Sequence, residues 1–201
     1  MAKGISSALA HMHTVKNGEG KVVLHRDIKP GNILFTEDFT PKLADFGHAV
    51  VRLVSKLSKG SSEKGTEAFY APEYKALGAY TEKSEVWCLG ATLLYMVTGE
   101  VLFDDPKVVQ SILNQTKLWT LEDHVNRTLT TSPCSGSPAT CELCANEPCV
   151  AVPIPPPGAG LTEEEKKRWE AAPPNLRDCI AKCLKKQPGK RPTAQELTDS
   201  L

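Results

Sequence analysis

The 201-residue chain has no excess of either charge: 24 Lys and Arg stand against 24 Asp and Glu, for a formal net charge of zero. No electrostatic case for nucleic acid or an anionic membrane surface follows, because both are bound through accumulated positive charge. A membrane-spanning run is also missing. The longest apolar stretch, residues 86–97, falls short of the roughly 20 residues a bilayer helix needs. No secretory leader follows Met1, since Lys3 is succeeded by Ser6, Ser7, His11 and His13. The 7 cysteines are odd in number, which argues against a secreted disulfide framework in a chain of this size. The cytoplasm is therefore the default compartment, with the nucleus open to the chain. Glycine is scarce where a phosphate-cradling loop would need it. Gly18 and Gly20 lack a third glycine at the required spacing, and residues 16–21 read as a polar turn.

What is present is concentrated in three short motifs. His25-Arg26-Asp27-Ile28-Lys29-Pro30-Gly31-Asn32 is followed by Asp45-Phe46-Gly47 and then by Ala71-Pro72-Glu73. Phosphoryl transfer asks little covalent chemistry of a protein: the group must be aligned, its charge neutralised and the attacking hydroxyl oriented by a carboxylate. Asp27 offers that carboxylate, and Asn32, five positions on, offers a neutral amide oxygen to a hard cation. Asp45 offers a second, charged ligand. Lys29 would place positive charge near the transferred phosphate. Gly47 is expected to free the backbone to turn directly after Asp45.

In their order these motifs resemble the catalytic loop, magnesium loop and activation-segment end of the eukaryotic protein kinase family. The resemblance implies Asp27 as catalytic base, Lys29 on the phosphate of ATP, and Asn32 and Asp45 on Mg2+. It extends further. Gly65-Thr66-Glu67-Ala68-Phe69-Tyr70 before Ala71 looks like the family's substrate-docking segment, in which Thr66 would contact the catalytic loop. Lys190-Arg191-Pro192-Thr193 looks like the family's Arg-Pro stretch, making Arg191 the ion-pair partner of Glu73. Lys29, two residues after Asp27, follows the serine/threonine-kinase pattern. Arg26 occupies the position that in the family meets an activation-loop phosphate, for which Ser55, Ser58, Ser61, Ser62 and Thr66 are candidate hydroxyls, Thr66 being the one better explained as a structural contact.

The residues 86–97 read as the buried central helix of a kinase C-terminal lobe, because Val86, Leu89, Leu93, Leu94, Met96 and Val97 leave almost no polar face. Trp87 and Gly90 match the family pattern Asp-x-Trp-x-x-Gly, but Glu85 stands where the pattern has aspartate. In the family that aspartate ties the catalytic-loop backbone. An extra methylene predicts a displaced carboxylate and a looser loop.

The resemblance also defines what the chain does not contain. The family's glycine-rich loop and strand lysine have no counterpart in the 24 residues before His25. Ile5, Leu9 and Met12, at helical spacing, look like the helix that precedes the catalytic loop. The expectation is thus a mainly α fold: a kinase C-terminal lobe over residues 1–201, with the β-rich N-terminal lobe absent, either a fragment or a chain whose missing lobe is supplied in trans. The reaction implied is transfer of the ATP γ-phosphate to a protein serine or threonine. Regulatory proteins are further possible partners. The rival reading is a catalytically inactive, kinase-like module that binds proteins.

The remaining segments fill out the lobe. Asp105 and Pro106 predict a helix start over residues 105–113. Residues 128–160, rich in Ser, Thr, Pro and Cys, predict a surface insertion with little regular structure. Its Cys134, Cys141, Cys144 and Cys149 admit a zinc site, but irregular outer spacings favour a reduced, cysteine-containing loop. Cys88, Cys179 and Cys183 are expected to fill core space. Thr162 caps one predicted helix, residues 175–184 form another with Leu176, Ile180, Cys183 and Leu184 on one side, and Thr193 with Glu196 at capping-box spacing starts the last. A lobe without its partner lobe would also expose apolar surface.

Overall fold

A computed structural model describes residues 1–14, 21–53, 58–59, 67–99, 101, 162–185 and 187–201. The predicted helix at 105–113, the insertion at 128–160 with its four cysteines, the glycine pair at 18 and 20, and Ser55, Ser61, Ser62 and Thr66 lie outside these residues.

Helix α1, Ala2–His13, starts before the apolar periodicity does and buries Ile5, Leu9 and Met12. Strand β1, Lys21–Leu24, follows and pairs antiparallel with β4, Val50–Leu53, so that Leu24 faces Val50. Between them β2, Ile33–Phe35, and β3, Pro41–Leu43, form a hairpin with Ile33 opposite Leu43. A third pair joins β5, Ser58–Lys59, to β6, Ala79–Tyr80. Helix α2, Pro72–Leu77, begins with the proline of Ala71-Pro72-Glu73 and ends at Gly78, whose φ of 66° is the left-handed cap that glycine adopts without strain. Strands this short contribute ties between loops; the packing is helical.

Its centre is α3, Glu82–Thr98, in which every residue from Ser84 to Leu94 is buried. Such a helix has no solvent face, which is why it reads as a continuous apolar run. Helix α1 contacts it, and α4, Glu163–Ala171, and α5, Pro174–Cys183, also pack on it. The last helix, α6, Ala194–Ser200, lies along α1, where Thr198 Oγ1 donates to Ser6 Oγ at 3.0 Å. Thr162 and Thr193 start α4 and α6 with reciprocal bonds to Glu165 and Glu196, as their spacing predicts. Cys88, Cys179 and Cys183 are buried free thiols, and burial pushes the Cys88 thiol up to about 12, so it stays neutral. Among the described residues no helix is long and apolar enough to cross a membrane.

The α3–α5 contact depends on Gly90. A Cβ there would lie 2.5 Å from Cys183 Cβ and 3.2 Å from Leu184 Cδ2. Cys183 Cβ is fixed to its own backbone, so the helices must separate. Gly90→Ala is expected to cost about 1–3 kcal/mol from overpacking, reversing the ~1 kcal/mol that alanine gains over glycine in an exposed helix. A lower urea midpoint at unchanged slope checks it.

Candidate active site

The hairpin sets the site. Its register continues one step beyond Ile33 and Leu43, where Ala44 N–H donates to Asn32 O at 2.8 Å, so Asn32 stands opposite Ala44 and Asp45 follows one residue on. β1 delivers the other strand of the site: its last residue, Leu24, is buried, and His25 follows.

His25 joins the two loops. Its Nδ1 accepts from Asp27 N–H at 3.3 Å, and its Nε2 donates to Ala44 O at 3.0 Å, an assignment fixed by the amide donor on one side and the carbonyl acceptor on the other. Only the neutral ring, with its proton on Nε2, makes both bonds at once, because a protonated Nδ1 could not accept. Burial holds the imidazole below its ordinary 6.5, outweighing the carboxylates of Glu85, Asp27 and Asp45. The ring edge also meets Phe46, 4.9 Å between centroids.

Asp27 is buried and its carboxylate is held from two directions. Asn32 Nδ2 donates to Asp27 Oδ2 and to Asp27 O, both at 2.8 Å. Lys29 Nζ lies 2.7 Å from the same Oδ2. Because its amide nitrogen is used twice on Asp27, the Asn32 side chain is fixed with its oxygen as the remaining acceptor. Asn32 is buried within a 3-10 turn over Pro30–Asn32, whereas Asp45 is exposed. Lys29, expected on the phosphate, is in contact with Asp27 in this structure.

The backbone turn at the second loop differs from the sequence expectation. Asp45 itself is left-handed, with φ of 61°, while Gly47 sits in the 3-10 turn Phe46–His48 without positive φ. Gly47 N–H donates to Asp45 Oδ1 at 3.2 Å, an Asx-type bond that makes the left-handed region tolerable for aspartate. A Cβ on Gly47 would stand 3.1 Å from that oxygen. The glycine allows the close approach rather than the turn.

Arg26 is the second left-handed residue of the site, with φ of 69°. Such backbone costs of order 1–3 kcal/mol and persists only when its surroundings hold it. Glu85 holds it: Arg26 N–H donates to Glu85 Oε1 at 2.7 Å. The added methylene therefore does not detach the carboxylate from the loop. Three partners met by the fully buried Glu85 explain how, for Tyr80 OH reaches Oε1 at 3.5 Å and His13 Nε2 meets Oε2 at 2.7 Å. Neither His13 nor Tyr80 was singled out by sequence reasoning. Both are recognisable only once the fold brings α1 and β6 to the start of α3.

Behind the site, Glu73 and Arg191 form the pair that the two distant motifs suggested. Arg191 Nη1 and Nη2 donate to Glu73 Oε1 and Oε2 at 2.7 and 2.8 Å, with both side chains buried. Ser84 Oγ donates to the same Oε1 at 2.8 Å. Burial pushes the Glu73 carboxyl up, but Arg191 outweighs it and holds it below the usual carboxylate range.

The loop that carries Asp27 is thus tied through His25 to the loop that carries Asp45, and a buried Glu–Arg pair joins Ala71-Pro72-Glu73 to the distant Arg191. Residues 1–200 match the family model described as "Protein kinase domain". The chain belongs to the eukaryotic protein kinase family, and its helix-rich, strand-poor architecture is compatible with that fold. Similar proteins include the probable serine/threonine-protein kinase PBL21 of Arabidopsis thaliana, 36% identical over 105 residues, which are 52% of this chain and 27% of the relative. The receptor-like cytosolic serine/threonine-protein kinase RBK2 of the same plant is 38% identical over 107 residues, 52% of this chain and 22% of the relative. The L-type lectin-domain containing receptor kinase VIII.2, also from Arabidopsis thaliana, is 38% identical over 96 residues, 48% of this chain and 13% of its own length. The chain thus aligns with no more than about a quarter of each of these relatives.

Proposed function

We propose that the chain supplies the catalytic C-terminal lobe of a serine/threonine protein kinase, transferring the ATP γ-phosphate to a protein hydroxyl in the cytoplasm. The observation that carries this reading is the shared grip of Asn32 and Lys29 on one oxygen of the buried Asp27. It preorganises a carboxylate as a proton acceptor for the attacking hydroxyl, and preorganisation is the main device of this chemistry. Mg2+ fits the donor set: the Asn32 amide oxygen and the Asp45 carboxylate are hard oxygen ligands, and this ion commonly takes one or two protein ligands together with phosphate oxygens and water. Bound there, it would neutralise phosphate charge. Lys29 would add a further positive charge on moving from Asp27 to the phosphate. The serine/threonine assignment rests on Lys29 and on the names of the similar proteins.

The large apolar side chains that stand exposed next to the site support a missing lobe. Leu34 at 57%, Phe35 at 46% and Phe46 at 52% exposure belong to the segments directly following Asn32 and Asp45. A second lobe, in cis or in trans, would cover them and bring the glycine-rich loop and lysine. The test is Mg2+-dependent phosphate transfer from ATP to a generic serine/threonine substrate by this chain and by the same gene extended upstream. Transfer is expected in the extended form, falling below about a hundredth in Asp45→Ala through loss of the charged metal ligand. Transfer by neither form would favour the non-catalytic binding module.

A further inference from the structure

We propose that Tyr70, Tyr74, Tyr80 and Cys88 form a path for one-electron oxidation, along which a radical formed on the half-buried Tyr74 is repaired by hydrogen from the buried Cys88 thiol. The ring centroids of Tyr70 and Tyr74 are 4.8 Å apart and those of Tyr74 and Tyr80 5.1 Å, both pairs edge to face. Tyr80 OH then lies 3.8 Å from Cys88 Sγ. Tyr74 is the partly exposed member of the series, while Tyr70, Tyr80 and Cys88 are 8%, 0% and 1% exposed. Oxidants in water therefore enter at Tyr74, and the oxidation travels inward.

Cys88 is closed to ordinary thiol oxidation. Peroxides are attacked by thiolates, and burial keeps this thiol protonated, pushed up to about 12. What stays open to it is transfer of a hydrogen atom to a neighbouring radical, and Tyr80 is placed for that. A one-electron oxidant such as nitrogen dioxide takes an electron from Tyr74 and becomes nitrite, while the phenol proton leaves to water. Tyr80 passes an electron to Tyr74, which regains a proton from water, and the Tyr80 proton moves to Glu85 Oε1 at 3.5 Å. The Tyr80 oxygen then takes the hydrogen atom of the Cys88 S–H. A sulfur-centred radical is left on Cys88, and Glu85 returns its proton to solvent. The competing sink, Trp87, has the Arg191 guanidinium over its ring at 4.9 Å, and that positive charge opposes a radical cation there.

Phosphate transfer plays no part in this path, so a chain without kinase activity tests it equally well. The 201-residue chain is exposed to nitrogen dioxide made from nitrite by radiolysis, and 3-nitrotyrosine is mapped by mass spectrometry. Nitration requires a second nitrogen dioxide to join the ring of a tyrosyl radical, so it counts the radicals that escaped repair. Tyr95, whose ring meets Phe69 instead, is the internal reference. In Cys88→Ser and in Tyr80→Phe the summed nitration of Tyr70 and Tyr74 relative to Tyr95 is expected to rise about twofold or more, the value reached when repair claims half of the radicals. The double variant is expected to rise no further than either single one, because both cut the same path. Cys88→Ala, which removes the same hydrogen but leaves more space, is expected to match Cys88→Ser and replaces it should that variant fail to fold. An unchanged ratio in either single variant, effects that multiply in the double variant, or a rise in Cys88→Ala well beyond that in Cys88→Ser would overturn the path.

Discussion

Asp27→Asn is expected to slow phosphate transfer by about 10²- to 10⁴-fold in kcat, the contribution typical of a positioned general base. The substitution is nearly isosteric. An asparagine oxygen can still accept from Asn32 Nδ2 and from Lys29 Nζ, which both meet Asp27 Oδ2 at 2.7 to 2.8 Å, so the loop keeps its shape. What it cannot do is take a proton from a hydroxyl. The two metal-ligand candidates, Asn32 and Asp45, are untouched, so the KM for Mg-ATP should move far less than kcat. The assay uses the form of the protein that transfers phosphate in the upstream-extension experiment. A kcat within about threefold of wild type would show that a residue other than Asp27 is the base.

The second large effect concerns stability. Arg191→Ala is expected to cost about 3–5 kcal/mol, because it strands a buried carboxylate. The guanidinium lies 4.9 Å from the centre of the Trp87 ring, bonds both oxygens of Glu73, and donates to Lys83 O and Lys185 O at 2.8 and 2.7 Å. No rearranged side chain could replace so many contacts. Urea unfolding at neutral pH measures the loss without the added salt of guanidinium. In the wild type, the pair contributes above the ordinary Glu73 value of 4.5 and that contribution fades as pH falls below it, since the folded carboxyl is held low. In Arg191→Ala burial is opposed only by the hydrogen bonds from Ser84 and the backbone and is expected to raise the folded value, so the variant gains on acidification and the gap to wild type narrows. Combining it with Glu73→Leu should recover part of the loss by removing the stranded charge, though the carbonyls of Lys83 and Lys185 remain without their donor. A gap that widens as pH falls would contradict this account.

How much of this was legible in the sequence varied with the range of the interaction. The α3 helix could be read directly, because a helix buried on all sides shows as an unbroken apolar run, and the Thr162 and Thr193 caps are local bonds at fixed spacing. Glu73 and Arg191 were matched across the chain only because each sits in a recognisable motif. The left-handed turns at Arg26 and Asp45 were not foreseen, for they are imposed by Glu85 and by the Gly47 amide rather than by the residues' own preferences. His13 was hidden in a different way. It follows the Ile5, Leu9, Met12 stripe as an ordinary polar neighbour, and its partner is 72 positions away. The paired strands, two to four residues long, carry no alternation from which a register could be read.

The Glu73–Arg191 contact joins positions 118 residues apart, which makes it a question of polymer physics as well as of charge. Closing a loop costs entropy that grows only with the logarithm of its length: doubling the intervening chain would add about 0.6 kcal/mol, well below the 3–5 kcal/mol assigned to losing Arg191. The contour between those two anchors is therefore thermodynamically cheap to lengthen. Segments inserted there can drift in size and composition while the fold remains closed by the same two side chains.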